Sequence, residues 1–192
     1  MFIRTERLFL RPGWPEDLED IFEALNSDAV PRTLTVPGLP RSLGEVRALL
    51  EGERDQRLPQ FMIYLRAPGG ARLVGHIGLV AGERGEVELV YWIKGRFCGL
   101  GFAREAVRAM LDHARALGHH RIVAYEPLDS ESDARVLLAA GFEDSFRIEE
   151  RFSAARGEAV AVHCYEAPLE WRAMPPVGRV AYERSSAQPL SA

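Results

Sequence analysis

Lysine is almost missing from this 192-residue chain: Lys94 is the only one, and arginine carries nearly all of the positive charge. Acids still outnumber bases, giving a net charge of −4, so nothing in the charge favours a nucleic acid as partner. Cysteine is equally scarce. Cys98 and Cys164 lie far apart and outside any Cys/His cluster. That removes the usual zinc signature, and free thiols in a reducing cytoplasm are a simpler reading than a disulfide. No metal is expected. No apolar run reaches the ~20 residues of a membrane span. The opening stretch MFIRTERLFLRPGW has no apolar core of the signal-peptide kind. The expectation is a cytoplasmic protein without a membrane partner.

What is present suits a globular domain. Apolar residues make up 47% and charged residues 27% of the chain, ordinary values for a packed core under a charged surface. Residues 1–172 read as one domain. Residues 173–192 carry Pro175, Pro176 and Pro189 among serines, with no periodic pattern, and read as a mobile tail.

Periodicity orders the elements. Glu6–Arg11 alternates as a strand. Pro15-Glu16-Asp17 opens a helix, and Leu18, Ile21, Phe22 and Leu25 follow at helical spacing. Pro31, Pro37, Gly38 and Pro40 mark a loop over 29–41. Ser42 with Glu45 forms a capping box for a helix running to about Gln56. Three strands are predicted at Phe61–Arg66, Leu73–Val80 and Glu86–Ile93, joined by glycine-rich turns. A helix over Phe102–Leu117 carries an apolar stripe. A strand at Arg121–Tyr125, a helix from Ser130 or Ser132 to Gly141-Phe142, and strands near 146–153 and 159–169 complete the chain. This order implies an α/β fold with a largely antiparallel sheet and one locally parallel pair.

The segment between the strand ending at Ile93 and the helix beginning at Phe102 carries the chemistry. Gly99 and Gly101 let the backbone turn tightly and approach a ligand. The first amides of the following helix lack internal acceptors and sit at its positive end. Together they form a seat for a phosphate or pyrophosphate, and Arg96 can add a forked donor. No GK[ST] follows, and the third glycine and distal acid of a dinucleotide fingerprint are missing. By spacing alone, Arg-x-x-Gly-x-Gly also fits a loop whose glycines serve packing only.

In context the run is more specific. Tyr91-Trp92-Ile93, then Arg96 to Gly101, Ala103-Arg104-Glu105-Ala106 and Gly141-Phe142 follow one another in order. This series resembles the GNAT acetyltransferase superfamily, in particular its RimJ/RimL-like branch, as do Thr5-Glu6-Arg7-Leu8 and Leu10-Arg11-Pro12. The resemblance implies a mixed, mostly antiparallel twisted sheet with helices on both faces and a splayed central strand pair. It implies acetyl-CoA as cosubstrate and a primary amine as acceptor, either a protein N-terminus or a small molecule. The backbone of Val90, Tyr91, Trp92 and Ile93 would pair with the pantetheine arm. An amide there would stabilise the oxyanion. Arg96, Phe97, Cys98, Gly99, Leu100, Gly101, Phe102 and Ala103 would surround the pyrophosphate. Val90 replaces the glycine of the usual pattern.

Direct transfer needs a neutral amine, so a base must remove a proton. Glu88 is the first candidate, and a symmetric turn over 80–85 would bring His76 beside it; both also fit as solvated strand residues. The family's tyrosine position falls on Leu137, and its Asn-x-x-Ser pair falls on Ser130 and Asp133. Ser130 can still hydrogen-bond the cofactor, and Asp133 can donate if burial keeps it protonated; both residues equally fit as helix caps. These departures leave open a second reading, a non-catalytic CoA-binding or regulatory module. A monomer and a homodimer both fit the sequence.

Overall fold

The structure, a computed structural model, describes residues 1–26, 40, 42–153 and 156–169. The described residues run β1 (Ile3–Arg4), β2 (Leu8–Arg11), α1 (Leu18–Asn26), α2 (Leu43–Glu51), β3 (Gln60–Leu65), β4 (Arg72–Ala81), β5 (Val87–Ile93), α3 (Phe102–Ala116), β6 (Arg121–Pro127), α4 (Glu131–Ala140), β7 (Glu143–Ser153) and β8 (Glu158–Pro168). The strands form one sheet in the order β1-β2-β3-β4-β5-β6-β8-β7. Every neighbouring pair is antiparallel except β5 with β6. The expected mixed sheet with helices on both faces is therefore what the chain builds.

Alternation along the strands sorts their side chains onto two faces. One face packs Leu10, Ile63, Ile77, Leu79, Leu89 and Ile122 against the α3 stripe of Ala106, Val107 and Met110, together with Leu137 of α4. The other packs Met62, Tyr64, Leu73 and Trp92 under Ile21 and Ala24 of α1 and Val46 and Leu50 of α2. No helix among the described residues is long and apolar enough to cross a membrane.

Some boundaries differ from the sequence expectation. β1 is too short to show a period. α2 stops at Glu51, because Gly52 leaves the helix with an extended backbone (φ −63°, ψ 158°). β6 runs on through Glu126 to Pro127, paired with β8 throughout. β7 begins at Glu143, two residues after Gly141, whose left-handed φ of 115° ends α4. Most of the predicted loop 29–41, Trp171 and the predicted tail 173–192 lie outside the described residues.

One polar cluster ties the second core to the start of the chain. Arg11 donates to both carboxylate oxygens of Asp17, at 2.6 and 2.7 Å. The Tyr64 hydroxyl and the Trp14 amide donate to the same group at 2.6 and 2.8 Å. The Arg11 guanidinium also lies 3.9 Å from the Trp14 ring and 4.2 Å from the Tyr64 ring. Burial pushes the Asp17 carboxyl up, but the bonds from Arg11, Tyr64 and Trp14 outweigh it and hold it below its usual 3.8. Asp17→Ala strands a buried guanidinium and should cost ~3–5 kcal/mol by denaturant unfolding. A depressed carboxylate stabilises fully above its unfolded value and loses that contribution as pH falls through its own lower value. The stability gap between wild type and Asp17→Asn should therefore be wide at neutral pH and close in acid.

Candidate functional site

β5 and β6 start parallel and then separate. A single register pair, Glu88 with Val123, joins them, whereas β5 is paired with β4 along its whole length. The backbone groups of β5 that point away from β4 therefore open into a gap. A cleft of about 500 Å³ fills it, a size suited to a small-molecule ligand. Its walls are β5 from Glu88 to Ile93, the loop and helix start from Phe97 to Arg104, Tyr125 and Glu126 of β6, and the inner side of α4.

The loop is built as a cradle. Gly99 and Gly101 hold left-handed φ values of 74° and 80°, and Gly101 forms the N-cap of α3. The Glu105 amide returns to the Gly101 carbonyl at 3.1 Å, so the amides before it begin the helix without internal acceptors. Such an arrangement favours an anion. A side chain at Gly99 would meet nothing within 4 Å: the position is open towards the space a ligand would use.

Arg7 pins this cradle from the other end of the chain. Its guanidinium donates to Glu105 at 2.7 Å and to the Leu100 carbonyl at 2.9 Å, and it lies 4.6 Å from the Phe102 ring. The Arg7 amide and the Thr5 hydroxyl donate to Glu105 at 2.8 and 2.5 Å. Burial raises the Glu105 carboxyl, yet these bonds prevail and keep it below the usual glutamate range. Thr5 and Arg7 are thus structural members of the loop, a role their sequence neighbourhood did not disclose.

Val90, Tyr91, Trp92, Ile93, Phe97, Cys98, Gly99, Gly101, Phe102 and Ala103 all line the cleft. Arg96 and Leu100 do not. Arg96 lies with its guanidinium 4.9 Å from the Phe97 ring, and Leu100 contributes its carbonyl to Arg7 while its side chain is exposed. The Cys98 thiol lies 3.8 Å from the Ile93 carbonyl, and burial together with Asp133 raises its pKa, which disfavours the thiolate. Ser130 is buried behind the wall and donates its hydroxyl to Asp133 at 2.5 Å; Asp133 itself lines the cleft. Leu137 is fully buried in the core.

Glu88 stands at the point of divergence. It is buried and ion-paired with Arg151 at 2.9 Å, and that guanidinium lies 4.0 Å from the Tyr125 ring. Burial raises the Glu88 carboxyl more than Arg151 lowers it. His76 is not its neighbour. Because the turn places Ala81 opposite Val87, Glu88 faces Val80 and His76 faces Trp92. The His76 ring stacks on Trp92, with centroids 6.3 Å apart. Burial holds it at about 4, so the imidazole is neutral at pH 7.

A second cleft of about 480 Å³ lies on the opposite face of β5, under α1 and α2. Met62, His76, Val80 and Leu49 are among its lining residues, and Val90, Tyr91 and Trp92 belong to both clefts. β5 is therefore the partition between two ligand-sized spaces. Glu126 also reaches the first cleft, buried, on the part of β6 that lies beyond the predicted strand end at Tyr125.

The profile of the acetyltransferase (GNAT) domain family matches residues 7–143. Among solved structures, a GNAT-family acetyltransferase from Bacillus anthracis superposes with a TM-score of 0.71 at 22% identity, covering 88% of this chain and 99% of that one. Spermidine N-acetyltransferase from Vibrio cholerae, solved with CoA and spermine, gives 0.71 at 20%, covering 86% and 97%. The microcin C7 self-immunity acetyltransferase MccE, solved with acetyl-CoA and AMP, gives 0.69 at 12%, covering 85% and 93%. No curated protein matches by sequence.

The cradle makes a direct prediction. Gly99→Trp places an indole in the open space above the loop and strains a left-handed backbone. Calorimetry should show acetyl-CoA binding lost in this variant, while its melting temperature falls by only about a few degrees.

Proposed function

The chain belongs to the GNAT acetyltransferase family, and from that premise we propose that it moves the acetyl group of acetyl-CoA directly to a primary amine. The observation that carries this reading is the wedge between β5 and β6 closed at one end by the Gly99–Gly101 cradle. Amides from Gly99 to Ala103 would hold the pyrophosphate, and the free edge of β5 from Val90 to Ile93 would accept the pantetheine arm as an added strand. Bound there, acetyl-CoA supplies an activated acyl carbon. An amide of that edge would stabilise the oxyanion. The amine would enter from the second cleft, where His76 and Trp92 form part of the wall. The acceptor is a protein N-terminus or a small-molecule amine, and the RimJ/RimL-like branch is the assignment within the family that the Thr5–Leu8 and Tyr91–Trp92 signatures support. No metal and no nucleic acid enter the reaction.

Glu88 is the proposed base, held in place by Arg151. The Ser130–Asp133 pair at the start of α4 supports the wall beside the cofactor. The alternative, a CoA-binding module without catalysis, is favoured by one observation: Leu137, at the family's tyrosine position, is sealed in the core.

Thiol release from acetyl-CoA should be measured against a broad panel of primary amines. Turnover on at least one amine is the expected result; tight CoA binding with no turnover on any would establish the module instead. With an active amine in hand, Glu88→Gln should lower kcat by ~10²-fold or more with acetyl-CoA affinity unchanged. A base must be ionised to act, so the wild-type rate should rise with pH through the elevated Glu88 value, and the variant should lose that limb.

A further inference from the structure

Beyond the last paired residues, two polar groups face each other across the opening wedge. From Glu88 to Tyr91 on β5 and from Val123 to Glu126 on β6 the step is the same odd number of residues. An odd step reverses the face of a strand, so both side chains turn towards α3 and α4, into the first cleft. The two lie close enough for each to act on the other's titration. The Tyr91 hydroxyl is buried without a hydrogen-bond partner of good geometry. Glu126 is 8% exposed, and among the described residues no ion pair holds it.

The groups that bear on Glu126 are Tyr91 and Glu88 from β5 and Asp133 from α4, and His163 is its register partner on β8. His163 in turn lies 3.5 Å from Asp144. A buried carboxyl without a cation keeps its proton. Burial first, then Asp133 and Glu88, raise Glu126 well above the ordinary glutamate value, against a smaller opposing effect of Tyr91. The wedge thus sets a carboxyl shifted towards its protonated form beside the Tyr91 phenol. The positions at the start and middle of α4 offer no free proton: Leu137 has none to give, and the Ser130 hydroxyl is committed to Asp133.

We propose that Glu126, positioned with Tyr91 across the wedge, is the acid that protonates the CoA sulfur as the thioester breaks. This rests on the acetyl-transfer reading. In the step the amine nitrogen bonds to the acyl carbon, and the C–S electron pair leaves with sulfur. The Glu126 proton passes to that sulfur, and the proton shed by nitrogen goes to the base on the acceptor side. Once the products depart, Glu126 takes a proton from solvent and the base releases the one it took from nitrogen, so both return to their starting states.

Infrared difference spectroscopy reads this without turnover. At pH 7 the wild type should show the carbonyl stretch of a protonated carboxylic acid that Glu126→Gln lacks. That band should move when CoA is added and stay put with desulfo-CoA, which has no sulfur to receive the bond. Glu126→Asp should keep the band but lose the sulfur response, because the shorter acid no longer reaches. With an active amine, Glu126→Gln should lose kcat by ~10²-fold without losing acetyl-CoA affinity, and the alkaline limb of the wild-type profile should disappear. An absent band, or equal responses to CoA and desulfo-CoA, would overturn the proposal. A sulfur-sensitive band in a protein that acetylates no amine would instead overturn the transfer reading, leaving Glu126 as a group that recognises the thiol.

Discussion

Everything in this site follows from two parallel strands that stay paired at a single position. Parallel strands need a crossover of helix length between them, and α3 supplies it. The same crossover puts the start of α3 beside the end of β5, so the anion cradle and the gap arise together. Had β5 and β6 remained paired beyond Glu88 and Val123, the edge of Val90 to Ile93 would be saturated and the cleft closed. The divergence leaves hydrogen-bonding backbone unpaired in the middle of the sheet, and such groups require a partner.

The partition formed by β5 separates two tasks. On the α3–α4 side lie the cradle, the Tyr91–Glu126 pair and Asp133; on the α1–α2 side lie His76, Trp92 and an apolar wall. Reagents entering from opposite faces meet at the strand itself. Charge is distributed accordingly. The Glu88–Arg151 pair sits at the divergence point, while among the described residues no ion pair holds Glu126, whose carboxyl burial raises well above the ordinary glutamate value. Burial raises both carboxyls, and only Glu88 has an arginine to offset it, a difference of the kind that sets acid and base apart. Arg7 and Glu105 hold the cradle rigid from outside, as a binding constellation requires.

The local grammar of the chain was readable. The α3 stripe, the Ser42 cap, the glycine turns and the ordered Tyr-Trp, Gly-x-Gly and Gly-Phe marks led to the helices, the sheet and the cleft lining. What stayed hidden depends on register and on distant partners. The His76 position turned on where a turn is centred, and moving that centre places the ring on Trp92 instead of beside Glu88. Arg151 reaches Glu88 from β7, and Arg7 reaches Glu105 from the first strands; neither pairing leaves a trace in local spacing. Glu126 escaped notice because a predicted strand ended at Tyr125, and two more residues of pairing with β8 carry it into the cleft. Arg96 shows the converse: a donor at the right place in sequence whose side chain rests on Phe97.

The central claim is that the free edge of β5 and the Gly99–Gly101 cradle together receive acetyl-CoA. Amide hydrogen exchange with and without saturating acetyl-CoA tests it most directly. Slowed exchange should be confined to Val90–Ile93 and Gly99–Ala103, with the β7–β8 hairpin unchanged. Unaltered exchange at both segments, or protection centred elsewhere, would contradict the account.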